Sequence, residues 1–434
     1  MKIKIEKTGI NGEGIGYLNN KPIFIASVLP QEIVEAEITI DKERYAIAEF
    51  VRIVEKSPKR IDAPCPVQDR CGGCALMITD VSYQEELKIN NLKQSLLKYM
   101  GKLDFRLIKK IQSNPQPFNY RNQCKHPMKM EKNRLVAGFY KAGTNHFVAI
   151  NRCIVHDDDL EKAKNAVVNL LNKHRCIDFD PPSSQGIRTL IVRSMNDEVQ
   201  VTLVTGKMTL DEKLVKDIMK VENIVSLYHS VNTDRHAMDP FGKKLDHIAG
   251  KETLDFEFEE LKFALSPKAF FQLNKHQASL LFKAVLDIIP ANKTIIDAYC
   301  GIGALSLMMA KKSHKIIGIE FSQEAIDSAN LNAKLNKIDN CSFIVGDAAE
   351  KLANLKSAMD VLVIDPPRAG LSDEMIKTML KLKIKEIVYI SCNPSTLAKN
   401  LNDLKSSYRI KQIQPFDLFT HTPLLETVVH LTLN

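Results

Sequence analysis

The sequence predicts an α/β protein. Its C-terminal part is a doubly wound parallel sheet, preceded by an OB-like β-barrel and a mixed α+β central region. Three observations predict this. After Asn274, short and fully apolar runs alternate with helical periods: Thr294–Asp297, Ile316–Glu320, Val361–Asp365 and Ile387–Ile390. Strands apolar on both faces belong to a parallel sheet covered by helices on each side. Before about residue 57, about five short strand-like runs lie between turns, as in a small barrel. Finally, 434 residues exceed one core at roughly 150 residues per domain.

The barrel is assigned to residues 1–56. Gly12-Glu13-Gly14-Ile15-Gly16 opens it with a turn, and Pro22–Ile25 and Glu35–Ile40 read as strands. The central region, 57–262, contains a helix over Tyr83–Met100 and strands near Thr189–Arg193 and Val199–Val204. The style changes near Phe263–Pro267, so 263–434 forms the third unit.

Composition is ordinary for a globular chain, with 44% hydrophobic and 26% charged residues. Charge alternates with isoleucine in Met1–Lys7, so no secretory signal is expected there. No apolar run approaches the roughly 18 residues of a membrane span. A cytoplasmic monomer with no membrane contact is expected.

The net charge of +8 is unevenly spread. Between Lys88 and Lys141 there are 13 basic residues, opposed only by Asp104 and Glu131, which leaves the rest of the chain at −3. Over Lys88–Lys110 the pattern fits a solvated helix as well as a binding face. Over Arg121–Lys141 it is not helical, and Phe118, Tyr120, Phe139 and Tyr140 accompany it. Cations that neutralise phosphates beside rings that stack on bases point to RNA. The barrel, with ten basic and nine acidic residues over Met1–Arg60, contributes little charge.

Nine cysteines without a signal argue against a disulfide framework. Cys65, Cys71 and Cys74 cluster, with Gly72-Gly73 allowing a tight turn. Cys153 is the best fourth ligand, with Cys124 and Cys176 as alternatives. Four thiolates suit zinc or an iron–sulfur cluster. A single short knuckle with long, uneven loops favours [4Fe–4S]. The spacing differs from the Cys-x3-Cys-x2-Cys of a radical enzyme, so the cluster is expected to be structural.

In Ile295–Leu305 a strand runs into Gly301-Ile302-Gly303 and then a helix, letting a ligand approach the backbone. Ser306 stands where a dinucleotide fingerprint has its third glycine. Asp297 before the glycines suits an ammonium group, Glu320 at the next strand end suits ribose hydroxyls, and Asp347 at the third suits an adenine amine. Acidic groups at successive strand ends fit S-adenosylmethionine. As single residues, Glu320 and Asp347 would equally serve as helix caps.

Asp365-Pro366-Pro367-Arg368 follows the fourth apolar strand, its prolines stiffening a turn that aims Asp365 at a substrate. Cys392 sits between a strand end and a helix starting near Pro394, where a helix N-terminus is expected to favour the thiolate. Methylation at carbon 5 of a pyrimidine needs such a thiolate, because that carbon is barely nucleophilic until carbon 6 is attacked.

Together these motifs resemble the RNA (uracil-5-)-methyltransferases, specifically the iron–sulfur-containing 23S rRNA type, over nearly the whole chain. The resemblance implies a TRAM barrel, an S-adenosylmethionine-dependent Rossmann-like domain and formation of 5-methyluridine in 23S rRNA. It makes Cys65, Cys71, Cys74 and Cys153 the [4Fe–4S] ligands. Gln272, in Phe270–Asn274, would contact S-adenosylmethionine, together with Tyr299, Glu320 and Asp347. Asp365 would face the target uracil and cofactor, Cys392 would be the nucleophile and Glu426 the base. Two positions depart from the family pattern: Ala304 where asparagine is common, and Pro423–Leu425 where a histidine is usual.

Three other functions compete. A tRNA T-loop uridine is the main alternative substrate, although many tRNA members lack both cluster and TRAM domain. Guanine amino-group methylation would leave Cys392 dispensable. A non-enzymatic RNA-binding iron–sulfur protein would bind RNA without turnover.

Overall fold

The computed structural model describes residues 1–234, 236–237, 239–355 and 359–434. Five strands, β1 (Lys2–Thr8), β2 (Gly14–Leu18), β3 (Lys21–Ile25), β4 (Ile33–Asp41) and β5 (Ala46–Glu55), close into a barrel in the order β1-β2-β3-β5-β4. Their alternation places Ile3, Ile5, Ile23, Ile25 and Val34 in its core. The five-stranded expectation for residues 1–56 is met.

Helices α1 (Gln68–Cys71) and α2 (Val81–Met100) follow, then β6 (Gln123–Glu131), β7 (Arg134–Tyr140), β8 (Phe147–Ala149) and α3 (Asp158–Lys173). Next come β9 (Ile187–Met195), β10 (Glu198–Thr205), α4 (Glu212–Ile218), β11 (Ile224–Val231) and β12 (Leu245–Gly250). The seven strands form one sheet, ordered β12-β11-β10-β9-β6-β7-β8. Arg121–Lys141, read as an RNA-facing surface, is mostly the β6–β7 hairpin, with Lys125, Lys132, Arg134 and Lys141 exposed.

The hairpin β13 (Leu254–Phe258) and β14 (Leu261–Leu265) leads into α5 (Lys275–Ile288), β15 (Thr294–Ala298), α6 (Ala304–Ala310), β16 (Lys315–Glu320) and α7 (Gln323–Leu335). The chain continues through β17 (Cys341–Val345), α8 (Ala348–Asn354), β18 (Val361–Ile364), α9 (Asp373–Leu382) and β19 (Glu386–Ser391). It ends with α10 (Pro394–Leu404), β20 (Tyr408–Phe416) and β21 (Glu426–Leu433). The sheet order is β17-β16-β15-β18-β19-β21-β20, parallel through β19 and antiparallel at β21 and β20. Strand order reverses between β15 and β18, where an open α/β sheet forms a crevice at its carboxyl edge.

Two features differ from the sequence reading. The 262/263 division cuts β14, whose hairpin buries Leu254, Phe256, Phe258, Leu261, Phe263 and Leu265 in the C-terminal core. Aromatic edge contacts from Phe256 and Phe258 to Phe271 bind it there. Helix α2 also joins that unit, with Leu92 and Leu96 in the core beneath α10. It begins where the Asp80 carboxylate accepts from the Tyr83 amide.

Lys88 therefore lies on neither a solvated nor an RNA-binding face. It is fully buried, pairs with Asp417 and donates to the Phe419 carbonyl at 3.1 Å. Burial pulls the lysine down, and the Asp417 carboxylate opposes that shift. Lys88→Met should cost about 3–5 kcal/mol by leaving Asp417 buried and unpaired, while Lys88→Met/Asp417→Leu should cost less. Thermal or urea unfolding of the three proteins measures both effects.

Candidate active site

The site lies at the carboxyl edge of the C-terminal sheet, around its switch point. After β15 the chain turns sharply through Tyr299, Gly301 and Gly303, with φ of 68°, 54° and 78°. Left-handed backbone suits glycine. A Cβ at Gly303 would also press the Phe343 ring at 3.0 Å. Gly303 precedes α6, and the Gly301 amide donates to Glu320 Oε2 at 3.3 Å. The other Glu320 oxygen accepts from the Ser322 amide at 3.0 Å.

Gln272, Tyr299, Gly301, Ala304, Asp297 and Asp365 line one cleft here, walled by Phe270 and Phe271. Glu320 and Asp347 end β16 and lie just past β17, and the charges of both raise the Tyr299 phenol after burial itself. Asp347 also caps α8 by accepting from the Glu350 amide at 3.0 Å. The capping role and a place beside the cleft are thus compatible. Asp297 is 2% exposed and accepts from the Ser306 hydroxyl. Burial lifts its carboxyl to about 7. The serine at the missing third-glycine position therefore serves Asp297, which is less free to receive an ammonium group than the sequence suggested. Four carboxyls around a narrow cleft with aromatic walls suit a cationic cofactor, and this donor set fits S-adenosylmethionine.

The second half of the site comes from β18, β19 and β21. Asp365 follows β18, and its prolines lead to Arg368, whose carbonyl accepts from Asn393 Nδ2 at 3.2 Å and Thr396 Oγ1 at 3.3 Å. Asn400 holds the same loop by accepting from the Leu371 amide at 3.0 Å and the Tyr389 hydroxyl at 2.9 Å. The Asp365–Leu371 loop is thereby tied to the start of α10, next to Cys392. Helix α10 begins at Pro394 with Asn393 as its cap, as the sequence suggested.

Cys392 and Glu426 meet through strand register. Ser391 pairs with Thr427 between antiparallel β19 and β21, so the next step sets Cys392 against Glu426. Glu426 is 5% exposed. Burial, then Asp365, raises its carboxyl to about 8, against Arg368. Burial and the Asp297 charge lift Asp365 to about 7.

The thiol departs from expectation. Burial, then Glu426 and Asp365, push Cys392 up to about 11, while the Arg368 guanidinium pulls it down. The helix N-terminus does not prevail, because two nearby carboxylates and a desolvated sulfur oppose the thiolate.

Cys65, Cys71, Cys74 and Cys153 gather at a second place. Gly72 ends α1 in the left-handed region at φ 68° and returns the chain towards Cys74. Burial, followed by the charges of Cys153, Cys71 and Cys65, raises the Cys74 thiol to about 12. Burial likewise raises Cys71 and Cys153, and buried thiols of this kind become stable as thiolates around a cation, a chemistry that suits a metal centre. Neither alternative ligand joins them among the described residues. Cys124 is buried on β6, and Cys176 lies after α3 near Asp211.

Two residues were missed by sequence reasoning. Arg368 was read only as part of the turn that follows Asp365. His421, five residues before Glu426, is buried and stacked on Phe118 with centroids 4.7 Å apart. Burial lowers it to about 4. Its proximity to Glu426 was a visible signal. A roomier concavity lies between barrel and cysteine loop, lined by Phe24, Tyr45, Ile47, Gly72 and Ala75. Glu13 and Asp69 also line it, but no thiol does among the described residues.

The chain matches the profile described as tRNA (Uracil-5-)-methyltransferase over residues 83–434 and that of the TRAM domain over 1–51. It is 37% identical over 444 residues to an uncharacterized RNA methyltransferase of Lactobacillus johnsonii, covering 99% of this chain and 96% of the relative. It is 34% identical over 442 residues to one from Bacillus anthracis, covering 99% and 96%. The structure resembles the Pyrococcus abyssi tRNA (uracil-54, C5)-methyltransferase in complex with S-adenosyl-L-homocysteine, with a TM-score of 0.81, 25% identity and full coverage of both chains.

Two predictions follow from the charges. Glu426 titrates higher folded than unfolded, so its contribution to stability is present below pH 4.5 and lost as pH rises through about 8. Glu426→Gln should therefore stabilise the ligand-free protein by about 2 kcal/mol above pH 8, with the gain fading in acid. Melting across pH tests this. Arg368→Gln should move the alkylation midpoint of Cys392 above that of the wild-type protein, as iodoacetamide labelling against pH would show.

Proposed function

We propose that this chain, which belongs to the tRNA (uracil-5-)-methyltransferase family and carries a TRAM domain, methylates carbon 5 of a uridine in 23S rRNA. The observation that carries the chemistry is the placing of Cys392 against Glu426 beside Asp365 and the glycine-lined cleft. A thiol next to a raised carboxyl is what carbon-5 methylation of a pyrimidine needs, and transfer to an amino group needs neither.

The target uracil is taken out of its stack, as chemistry on a base requires. Cys392 Sγ releases its proton to solvent and adds to carbon 6, and the electrons of the carbon 5–carbon 6 double bond pass into an enolate that makes carbon 5 nucleophilic. Arg368 is the cation that favours the thiolate, and Asp365 orients the base. S-adenosylmethionine, when bound, supplies the methyl group from its sulfonium. Gln272, Tyr299, Glu320 and Asp347 hold it. Glu426 then removes the carbon-5 proton, carbon 5 regains its double bond to carbon 6, and the Cys392 thiolate is expelled. Because Glu426 must begin unprotonated, kcat/KM, which reports the free protein, should rise with pH through about 8.

Cys65, Cys71, Cys74 and Cys153 hold a [4Fe–4S] cluster in this reading, supported by their convergence and uneven spacing. It braces the chain and takes no part in methyl transfer. The exposed cations Lys125, Lys132, Arg134 and Lys141 contact RNA phosphates. The preference for 23S rRNA rests on the four cysteines together with the barrel. A tRNA uridine is the second reading, favoured by the full-length likeness to a tRNA (uracil-54, C5)-methyltransferase.

The test is a covalent trap. Protein purified without oxygen is incubated with S-adenosylmethionine and 5-fluorouridine-substituted 23S rRNA or tRNA, then run on a denaturing gel. An adduct with the rRNA that disappears in Cys392→Ala is expected. An adduct with tRNA alone would replace the substrate, and methyl transfer without any adduct would overturn the mechanism. Glu426→Gln should slow turnover by about 10²–10⁴-fold and let the adduct accumulate on unmodified uridine.

A further inference from the structure

The central sheet buries three metal donors that this reaction does not use. Cys124 and His126 lie two residues apart on β6, so their side chains leave the same face. A bridge between Arg121 and His156 brings the segment after Cys153 alongside. Cys124, His126 and His156 are 2%, 0% and 2% exposed. One potential ligand atom from each lies within 4.8 Å of the other two.

The surrounding hydrogen bonds aim the rings. His156 Nδ1 stands 2.8 Å from a Glu161 oxygen, and His126 Nδ1 stands 3.3 Å from the Gly138 carbonyl. Both partners are acceptors, so each Nδ1 carries the proton and each Nε2 keeps its lone pair. His126 Nε2 is buried and meets no hydrogen-bond partner. Leaving such a group unsatisfied costs about 1–3 kcal/mol. Behind the rings, Glu161 accepts from Lys164 at 2.7 Å, and Lys164 also donates to the Asn151 carbonyl at 2.9 Å. Imidazoles backed by a carboxylate and a carbonyl, converging with a thiol, form the supporting shell of a zinc-type centre.

We propose that Cys124, His126 and His156 form a second metal site, for a divalent ion of the zinc class, distinct from the four-cysteine set. On binding, the Cys124 thiol releases its proton to solvent and the sulfur bonds the ion, while both imidazoles bind as neutral ligands. The site would clamp β6 to the segment leaving Cys153, whose carbonyl accepts from the His156 amide at 3.2 Å. Three protein donors leave one tetrahedral position for an exchangeable ligand. This ion should therefore yield to a chelator while the iron stays.

The full-length protein is loaded with Zn²⁺, desalted, and its zinc and iron measured by mass spectrometry. One zinc per chain is expected. His126→Asn and Cys124→Ser should each lower zinc affinity by at least about tenfold with iron unchanged. Chelator-stripped wild-type protein reloaded with Co²⁺ should show visible ligand-field bands and a near-ultraviolet thiolate charge-transfer band, the latter absent in Cys124→Ser. Wild-type protein that retains no zinc and shows no cobalt bands overturns the proposal without any variant. So does zinc that is lost in Cys71→Ser yet kept in His126→Asn, since it would then belong to the four-cysteine set.

Discussion

The turn from Asp417 to Leu425 joins the two halves of this molecule, and its anchor is the buried pair between Lys88 and Asp417. Asp417 also accepts from the Thr420 hydroxyl at 2.8 Å, and Thr420 in turn accepts from Asn114 Nδ2 at 3.0 Å. The Tyr120 hydroxyl donates to the Thr420 carbonyl at 2.9 Å, and Asn274 Nδ2 donates to the Leu418 carbonyl at 3.1 Å. The Gln84 side chain takes the His421 amide at 2.9 Å. Residues far apart in sequence thus converge on one turn, and that turn delivers Glu426 to the start of β21. An ion pair without water is costly to form and more costly to half-remove, which makes it a device for holding one arrangement.

The cysteine loop is attached to the same turn. The Leu76 amide, two residues beyond Cys74, donates to the His421 carbonyl at 2.9 Å. A cluster held by Cys65, Cys71, Cys74 and Cys153 would therefore stiffen the route to Glu426 without touching a substrate. The segment before Glu426 lacks a histidine at Pro423–Leu425, but His421 supplies the fixed point one turn earlier, stacked on Phe118.

The cleft at the sheet edge gathers acidic groups at the expense of the neighbouring Cys392 thiol. Asp297, Asp365 and Glu426 are all lifted into the neutral range or just above, because each is desolvated near another carboxylate or, for Asp297, near Glu320. The same crowding raises Cys392. A cationic cofactor placed among these groups would relieve the crowding, since an added positive charge favours every ionised form around it. The ligand-free site is thus arranged for a complex rather than for itself, as is common where electrostatics serve a bound state.

Local sequence determined much of this protein. Apolar strands without polar alternation, as in Val361–Ile364, can only be interior strands of a covered sheet, so the C-terminal fold was legible. So was the barrel, from its alternation and turns, and so was the start of α10 at Asn393-Pro394. The glycines after β15 and the spacing of Cys65, Cys71 and Cys74 announced themselves because backbone freedom and ligand spacing are local properties. Tertiary structure decided the rest. Lys88 looks like any helix lysine until Asp417, more than three hundred residues away, is folded against it. Cys392 reads as an activated thiol from its helix alone, but Glu426 and Asp365 reach it only through strand register and a crossover. Cys124, His126 and His156 form no motif, because the segment carrying His156 comes alongside β6 only in the folded chain. Charge and ligation depend on distance in space, and sequence specifies that distance only through the completed fold.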